Sequence, residues 1–499
     1  MSVGSRTAIP RRASLAGSLA GVLALGAVVV ADTTAAYATE TLALKTVVSM
    51  PGGAKITSFD ISFVDPVAGF YVLGDRTNKG IDVISTATNT LQFTAGAGLF
   101  KGVVLVGGVP NNDLSGPDGT MIVRSREIWA GDGDSTLKIL SLSNGALLAT
   151  ISTGGLKRVD EMCFDPVHNI GFVANNADSP PFVTAVSARS HSIIGKIVFN
   201  GTNGTPNATD GIEQCQYNPR DGMIYLAVPE IGGPGDNSAP GGVARINPAT
   251  LTVTATAVIP LAACTGPQGL AIGPVVGTFG QMLLGCNGAT ANAAALRPTA
   301  LVDDGSRGGT FGAVVALPWQ AGNDEVAFNG IVTASGTTQG DGHYYLARSG
   351  NNSPVNPNVM VDGFRPHCPS VPSSTLPGGN YGGDIYVSAN TQGEAYAAAG
   401  SQTFAGPQVL GMINATTLEN DPDTIIGQFS CTGTTFGAGG QANTHGTNHS
   451  VAADPVHNQI YVPIASTAFT APATGPCSAG GGSDTNGCIA VYATQGSDP

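Results

Sequence analysis

The stretch Asp160-Glu-Met-Cys-Phe-Asp-Pro-Val-His-Asn-Ile-Gly-Phe-Val-Ala-Asn175 reads as a short strand, a tight Asp-Pro turn and a second strand. Its apolar residues alternate or run together only over strand-length segments, and the turn carries residues that favour tight chain reversal. The same frame returns at Asp60 to Gly74, at Glu213 to Ala227 around Asn218-Pro219-Arg220-Asp221-Gly222, and at His449 to Pro463 around Asp454-Pro455. Weaker copies begin near Asp118, at Gln268 and at Asp324. Starts at 60, 118, 160, 213, 268, 324 and 449 lie roughly 40 to 60 residues apart except for the last interval, which is the period of four-stranded propeller blades.

The predicted fold is therefore all-β: a seven-bladed β-propeller of four-stranded antiparallel blades. Third strands such as Ile81-Asp-Val-Ile-Ser and Val409-Leu-Gly-Met-Ile follow the hairpins, and fourth strands such as Leu147-Leu-Ala-Thr-Ile complete them. The last unit runs out after Cys488-Ile-Ala-Val-Tyr, so its missing outer strand is expected from Thr41 to Ser49. Closing the ring in this way removes the unpaired sheet edges that invite aggregation. Between Asp324 and His449 lies a Pro/Gly-rich segment followed by Asp384-Ile-Tyr-Val-Ser, read as an insertion of about 350–405 in blade six, with an eighth blade as the alternative.

Residues 1–38 read as a signal peptide: Arg6, Arg11 and Arg12 precede an uncharged apolar run from Leu15 to Val30, and Ala36-Tyr37-Ala38 offers a cleavage site. General secretion and twin-arginine export both fit. Residues 39–499 then form one propeller domain, secreted or periplasmic, with no membrane span expected in the mature chain. With 70 Gly, 32 Pro and 11% charged residues the composition suits short strands and turns rather than helices. The formal charge is −13, and the leader's three Arg and one Asp would take it to −15 on removal, which argues against nucleic acid as a partner. Eight scattered Cys without a C-x-x-C pattern point to disulfides in an oxidising compartment, paired locally as Cys163–Cys215, Cys264–Cys286, Cys368–Cys431 and Cys477–Cys488.

The Phe/Tyr-Asp/Asn-Pro turns, with the Phe-Tyr-Val, Phe-Val-Ala-Asn and Ile-Tyr-Val-Pro strands that follow them, resemble the bacterial YVTN-type propeller repeats over essentially all of the mature chain. These belong to the wider group that includes gluconolactonase-like and streptogramin-lyase-like propellers. The resemblance implies the fold; the function must be argued from the site.

The repeat alignment places Asp60, Asp118, Asp160, Glu213, Gln268, Asp324 and His449 at equivalent positions around one mouth of the central channel. Second strands end beside them with Asp75, Asp132, Asn175, Glu230, Asn287 and Arg348. Such a ring requires compensation by water, protons or a cation, and hard oxygen donors suit Ca²⁺ or Mg²⁺, with calcium held by Asp60, Asp160, Glu213 and Asp324 as the expectation. Turn-adjacent Asp and Asn also cap loop amides with no ligand present. His449 replaces the acid of the other blades, with His445 four residues upstream, and an imidazole there suits general acid or base chemistry. His168 and His457 occupy the hairpin turn on the opposite face and read as structural. Two function classes follow: a binding or scaffold protein contacting a small molecule or an extracellular protein or glycan, or a divalent-metal-assisted, lactonase-like hydrolase or lyase acting in the channel.

Overall fold

A computed structural model describes residues 41–286, 298–320, 323–348, 409–416, 418, 420–425, 450–466, 476–479 and 486–495. It contains seven four-stranded antiparallel sheets arranged as a seven-bladed β-propeller. In blade one the strands are Ser62–Asp65, Phe70–Asp75, Gly80–Ser85 and Thr90–Ala95, in spatial order. Blades two, three, four, five and six begin at Thr120, Met162, Cys215, Pro267 and Asn323. The first strand of each blade touches the first strand of the next around a closed circuit, so these strands form the channel wall.

Blade seven combines Ala452–Asp454, Gln459–Ile464 and Cys488–Gln495 with the N-terminal strand Thr41–Val48. Thr41 pairs with Gln495 and Val48 with Ile489, antiparallel, as the missing fourth strand of the sequence reading required. Val409–Asn414 is the third strand of blade six, paired with His343–Arg348. Residues 349–408 themselves lie outside the described residues, as do 1–40 with the expected leader. Among the described residues no helix is long and apolar enough to cross a membrane.

The strand pattern explains why each blade needs two neighbours. Along Ile170–Asn175, Phe172 and Ala174 pack toward blade four, while Val173 between them packs toward blade two. Tyr71 and Leu73 likewise face blade seven and Val72 faces blade two. Period-two alternation thus divides one strand between two apolar interfaces, and seven such cores lie between the seven pairs of blades. Outer strands such as Leu147–Ser152 are largely exposed.

The hairpin signature has a local cause. Asp165 Oδ1 accepts hydrogen bonds from the Val167 and His168 amides at 2.8 and 3.3 Å, and Asn169 closes the turn at φ 59°. Asp65 and Asp454 make the same turn with the Val67 and Val456 amides, both at 2.9 Å. Asn218 accepts from Arg220 in its place. His168 and His457 each set Nδ1 2.6 Å from the turn carboxylate of Asp165 or Asp454, which gives both histidines a structural partner.

Disulfides join Cys163 to Cys215 across blades three and four, Cys264 to Cys286 in blade five, and Cys477 to Cys488 in blade seven. Cys368 and Cys431 lie outside the described residues.

Candidate functional site: the acid–guanidinium mouth and the channel

The inner-strand starts are equivalent in backbone as well as in sequence. The amides of Asp60, Asp118, Asp160 and Glu213 donate to the carbonyls of Gly74, Gly131, Ala174 and Ala227, the same second-strand position in four successive blades. Close approach of these starts depends on glycine, because a Cβ at Gly119 would lie 1.7 Å from the Asp160 carbonyl oxygen. Asp60, Asp118 and Asp160 are all buried.

Two arginines supply the compensating charge. Arg76, directly after the second strand of blade one, donates Nη2 to both Asp60 and Asp118 and Nε to Asp118 at 3.1 Å. Arg158, in the loop entering blade three, places Nη2 2.5 Å from Asp160 Oδ2 and Nη1 3.9 Å from Asp60 Oδ2. Asn176 continues the chain by donating to Asp160 at 2.7 Å and to Glu213 at 3.5 Å. The result is a continuous network, Asp118–Arg76–Asp60–Arg158–Asp160–Asn176–Glu213, across four blades. Burial opposes the charge of both arginines, but Asp60 and Asp118 around Arg76, and Asp160, Asp60 and Asp118 around Arg158, hold them protonated above their ordinary range. For Asp118, burial outweighs the attraction of Arg76 and pushes the carboxyl well above the usual carboxylate range.

Sequence reasoning placed these acids together but missed Arg76 and Arg158. The available signal was modest: Arg76 adjoins Asp75, and Arg158 stands two residues before Asp160. Gln268 contributes its carbonyl to the Gln214 amide at 3.2 Å. His445, His449 and the side chains of Asp324 and Arg348 lie outside the described residues. Asn287 lies outside the described residues, and the described second-strand ends have partners away from the acid–guanidinium network. Asp132 holds Lys138 at 2.5 Å, Glu230 accepts from the Ala239 amide at 3.0 Å and Thr209 Oγ1 at 2.8 Å, and Asn175 donates to Ser135 at 2.9 Å. Among the described residues no group of three or more His, Cys, Asp or Glu is arranged to hold a metal ion. Guanidinium is seated against Asp60 and Asp160, two of the four residues expected to hold calcium, and the Asp324 side chain lies outside the described residues.

Below this mouth the channel widens into a cavity of about 580 Å³. It runs from Glu161, Gln214 and Glu325 near the strand starts to Pro66, Pro166 and Pro219 at the hairpin-turn face. Between these ends the wall is mainly apolar, with Phe63, Met162, Phe164, Tyr217 and the Cys163–Cys215 bridge. Its frame is tied across blades. Ser62 and Ser450 join blade one to blade seven through hydroxyls 2.8 Å apart, Gln214 Oε1 accepts from the Leu270 amide at 2.6 Å, and Gln216 Oε1 accepts from Ile272 at 3.0 Å. These glutamines satisfy backbone amides of blade five that pleated pairing leaves open toward the channel.

No family model and no curated protein matches this chain. Fold and channel define it as a seven-bladed β-propeller.

Proposed function

We propose that the protein is a binding propeller acting outside the cytoplasm, and that it takes a small molecule into the central channel through the hairpin-turn face. The observation that carries this reading is the cavity of about 580 Å³ with a largely apolar, cross-tied wall. Cavities of roughly 300–1,000 Å³ with few polar groups are the usual form of a small-molecule site. Export, and the YVTN-type character suggested by the Asp-Pro hairpins, belong to the same reading; the three disulfides among the described residues are compatible with an oxidising compartment. Binding is preferred to hydrolysis because Asp60, Asp118 and Asp160 already accept from guanidinium, an arrangement that stabilises the mouth and leaves those carboxylates poorly placed to activate water.

The test is fluorescence titration with N-phenyl-1-naphthylamine, a neutral apolar probe. The wild-type protein should bind it saturably, and Phe164→Asp should weaken binding about tenfold or more by placing a charge in the apolar wall. Equal binding by both proteins, or none by the wild type, overturns the channel reading.

A further inference from the structure

We propose that the protein carries a second small-molecule site, in the cleft between blades one and two on the hairpin-turn face, and that its ligand is a small aromatic carboxylate. The repeat shows how neighbouring joins are closed at this level. In blades one to four the turn after the third strand contains a residue whose amide donates to the last carbonyl of that strand: Asn89 to Ser85, Gly145 to Ser141, His191 to Ser187 and Leu251 to Asn247, at 2.8 or 2.9 Å. All four have positive φ, from 50° to 71°. Asn89 donates onward to Gln459 of blade seven at 2.5 Å, His191 Nε2 lies 3.1 Å from the Glu127 carboxylate of blade two, and Leu251 shares an apolar core with Ile170 of blade three. Gln459, Glu127 and Ile170 are each the first residue of a second strand. Between blades one and two the corresponding pair is Phe70 and Gly145, so the turn supplies no side chain to close that join.

A cavity of about 670 Å³ opens there. Phe70 and Phe93 stand half-buried in its wall beside the buried Leu142. A Cβ on Gly145 would lie 3.3 Å from Phe93 Cε2, so the glycine lets that ring approach the join. Arg126 is exposed and is the one charged side chain among the described residues that line the cavity; Gln92, Ser125 and Ser143 add neutral polar groups. Glu127, next in sequence, turns the other way and accepts from Trp129 Nε1 while it faces His191. Among the described residues the Arg126 guanidinium has no ion-pair partner. A guanidinium matches a carboxylate in geometry as well as charge, and two phenyl rings with a leucine suit a flat apolar body. Arg124 lines the channel and Arg126 the cleft, on either side of Ser125, so the two sites are separate and this one does not depend on the channel-binding reading.

The experiment titrates 2-naphthoate and its neutral isostere 2-naphthamide by calorimetry into the full chain at low salt. The wild type should bind the carboxylate about fivefold tighter or more than the amide. In Arg126→Gln that preference should fall to within about twofold while 2-naphthamide binds as before. Phe93→Ala should weaken both probes about fivefold or more by removing apolar wall. Should that variant lose its folded circular-dichroism signal, Phe93→Leu is read instead, with both probes again expected to weaken. Phe164→Asp, in the channel, should change neither affinity. Equal binding of the two probes by the wild type, binding of neither, a preference that survives Arg126→Gln, or affinity lost in Phe164→Asp instead, overturns the carboxylate cleft. The channel reading is decided separately, by N-phenyl-1-naphthylamine.

Discussion

Replacing Asp82 by asparagine should stabilise the protein at neutral pH and do little in acid. Asp75 pairs with Gly80 and Leu73 with Asp82, which puts the two carboxyls diagonally on one face of blade one, both fully buried. Their donors are neutral: Asn78 reaches Asp75 through its amide at 2.9 Å, and Thr94 Oγ1 reaches Asp82 Oδ1 at 2.8 Å. At the equivalent site of blade two, Lys138 lies 2.5 Å from Asp132, whereas among the described residues no cation is paired with Asp75 or Asp82. Burial raises both carboxyls, and Asp75 adds to the rise at Asp82, which favours one proton held between them. A carboxyl whose folded pKa lies above its unfolded value binds protons more tightly when folded. Its stabilising contribution is full in acid and is lost as pH rises from the unfolded carboxylate range, near 4, through the raised folded value. The carboxamide introduced by Asp82→Asn would supply a permanent N–H donor of nearly the same shape. An uncompensated buried polar group costs about 1–3 kcal/mol, so the substitution should gain about that much at pH 8 and much less at pH 5. At about 2.1 cal/mol/K per residue, this corresponds to roughly 1–3 °C in Tm for a cooperative domain of this size. Calorimetric melts of both proteins at the two pH values decide it. A variant less stable at pH 8, or equally shifted at both, would refute the shared-proton argument.

Three further outcomes follow from the same geometry. Arg76→Met should destabilise by about 3–5 kcal/mol in urea titrations, because it leaves Asp60 and Asp118 buried without their guanidinium, whereas Arg124→Met at the exposed rim should change stability by less than about 0.5 kcal/mol. Chelation with EDTA should leave Tm unchanged within about 1 °C, since Arg76 and Arg158 already pair with Asp60, Asp118 and Asp160; a fall of several degrees would favour the calcium expectation, because a folded-state ligand stabilises by mass action. Deleting residues 41–48 exposes the Cys488–Gln495 edge and should abolish cooperative melting, and a truncated protein that melts like the full chain would contradict closure by that strand.

The repeat was legible because its turn has a side-chain cause that sequence carries directly. Asp65, Asp165 and Asp454 each cap the amide two residues on, so the same chemistry marks each hairpin wherever it recurs. Alternation in segments such as Phe172-Val173-Ala174 likewise encodes two apolar interfaces at once. The N-terminal closure could be inferred because blade seven ended one strand short. Arg76 and Arg158 were harder to read. They reach the acids from loops, where no periodicity states which way a side chain points, and each bridges an acid of its own blade to one of another blade. Asp82 and Lys138 occupy one position with opposite charge, so repeat alignment alone did not reveal that pair's chemistry. The cavity was beyond the sequence for another reason: it depends on ring radius and on side chains such as Phe63 and Phe164, which read as ordinary strand residues.

The channel reading is tested most directly by diffraction from crystals soaked in 4-bromophenol, with the bromine located by anomalous scattering. The account predicts a bromine peak inside the cavity among Phe63, Met162 and Phe164. Full occupancy at the Asp60–Arg76–Asp118 mouth or on the outer faces of the blades, with an empty channel, would contradict it.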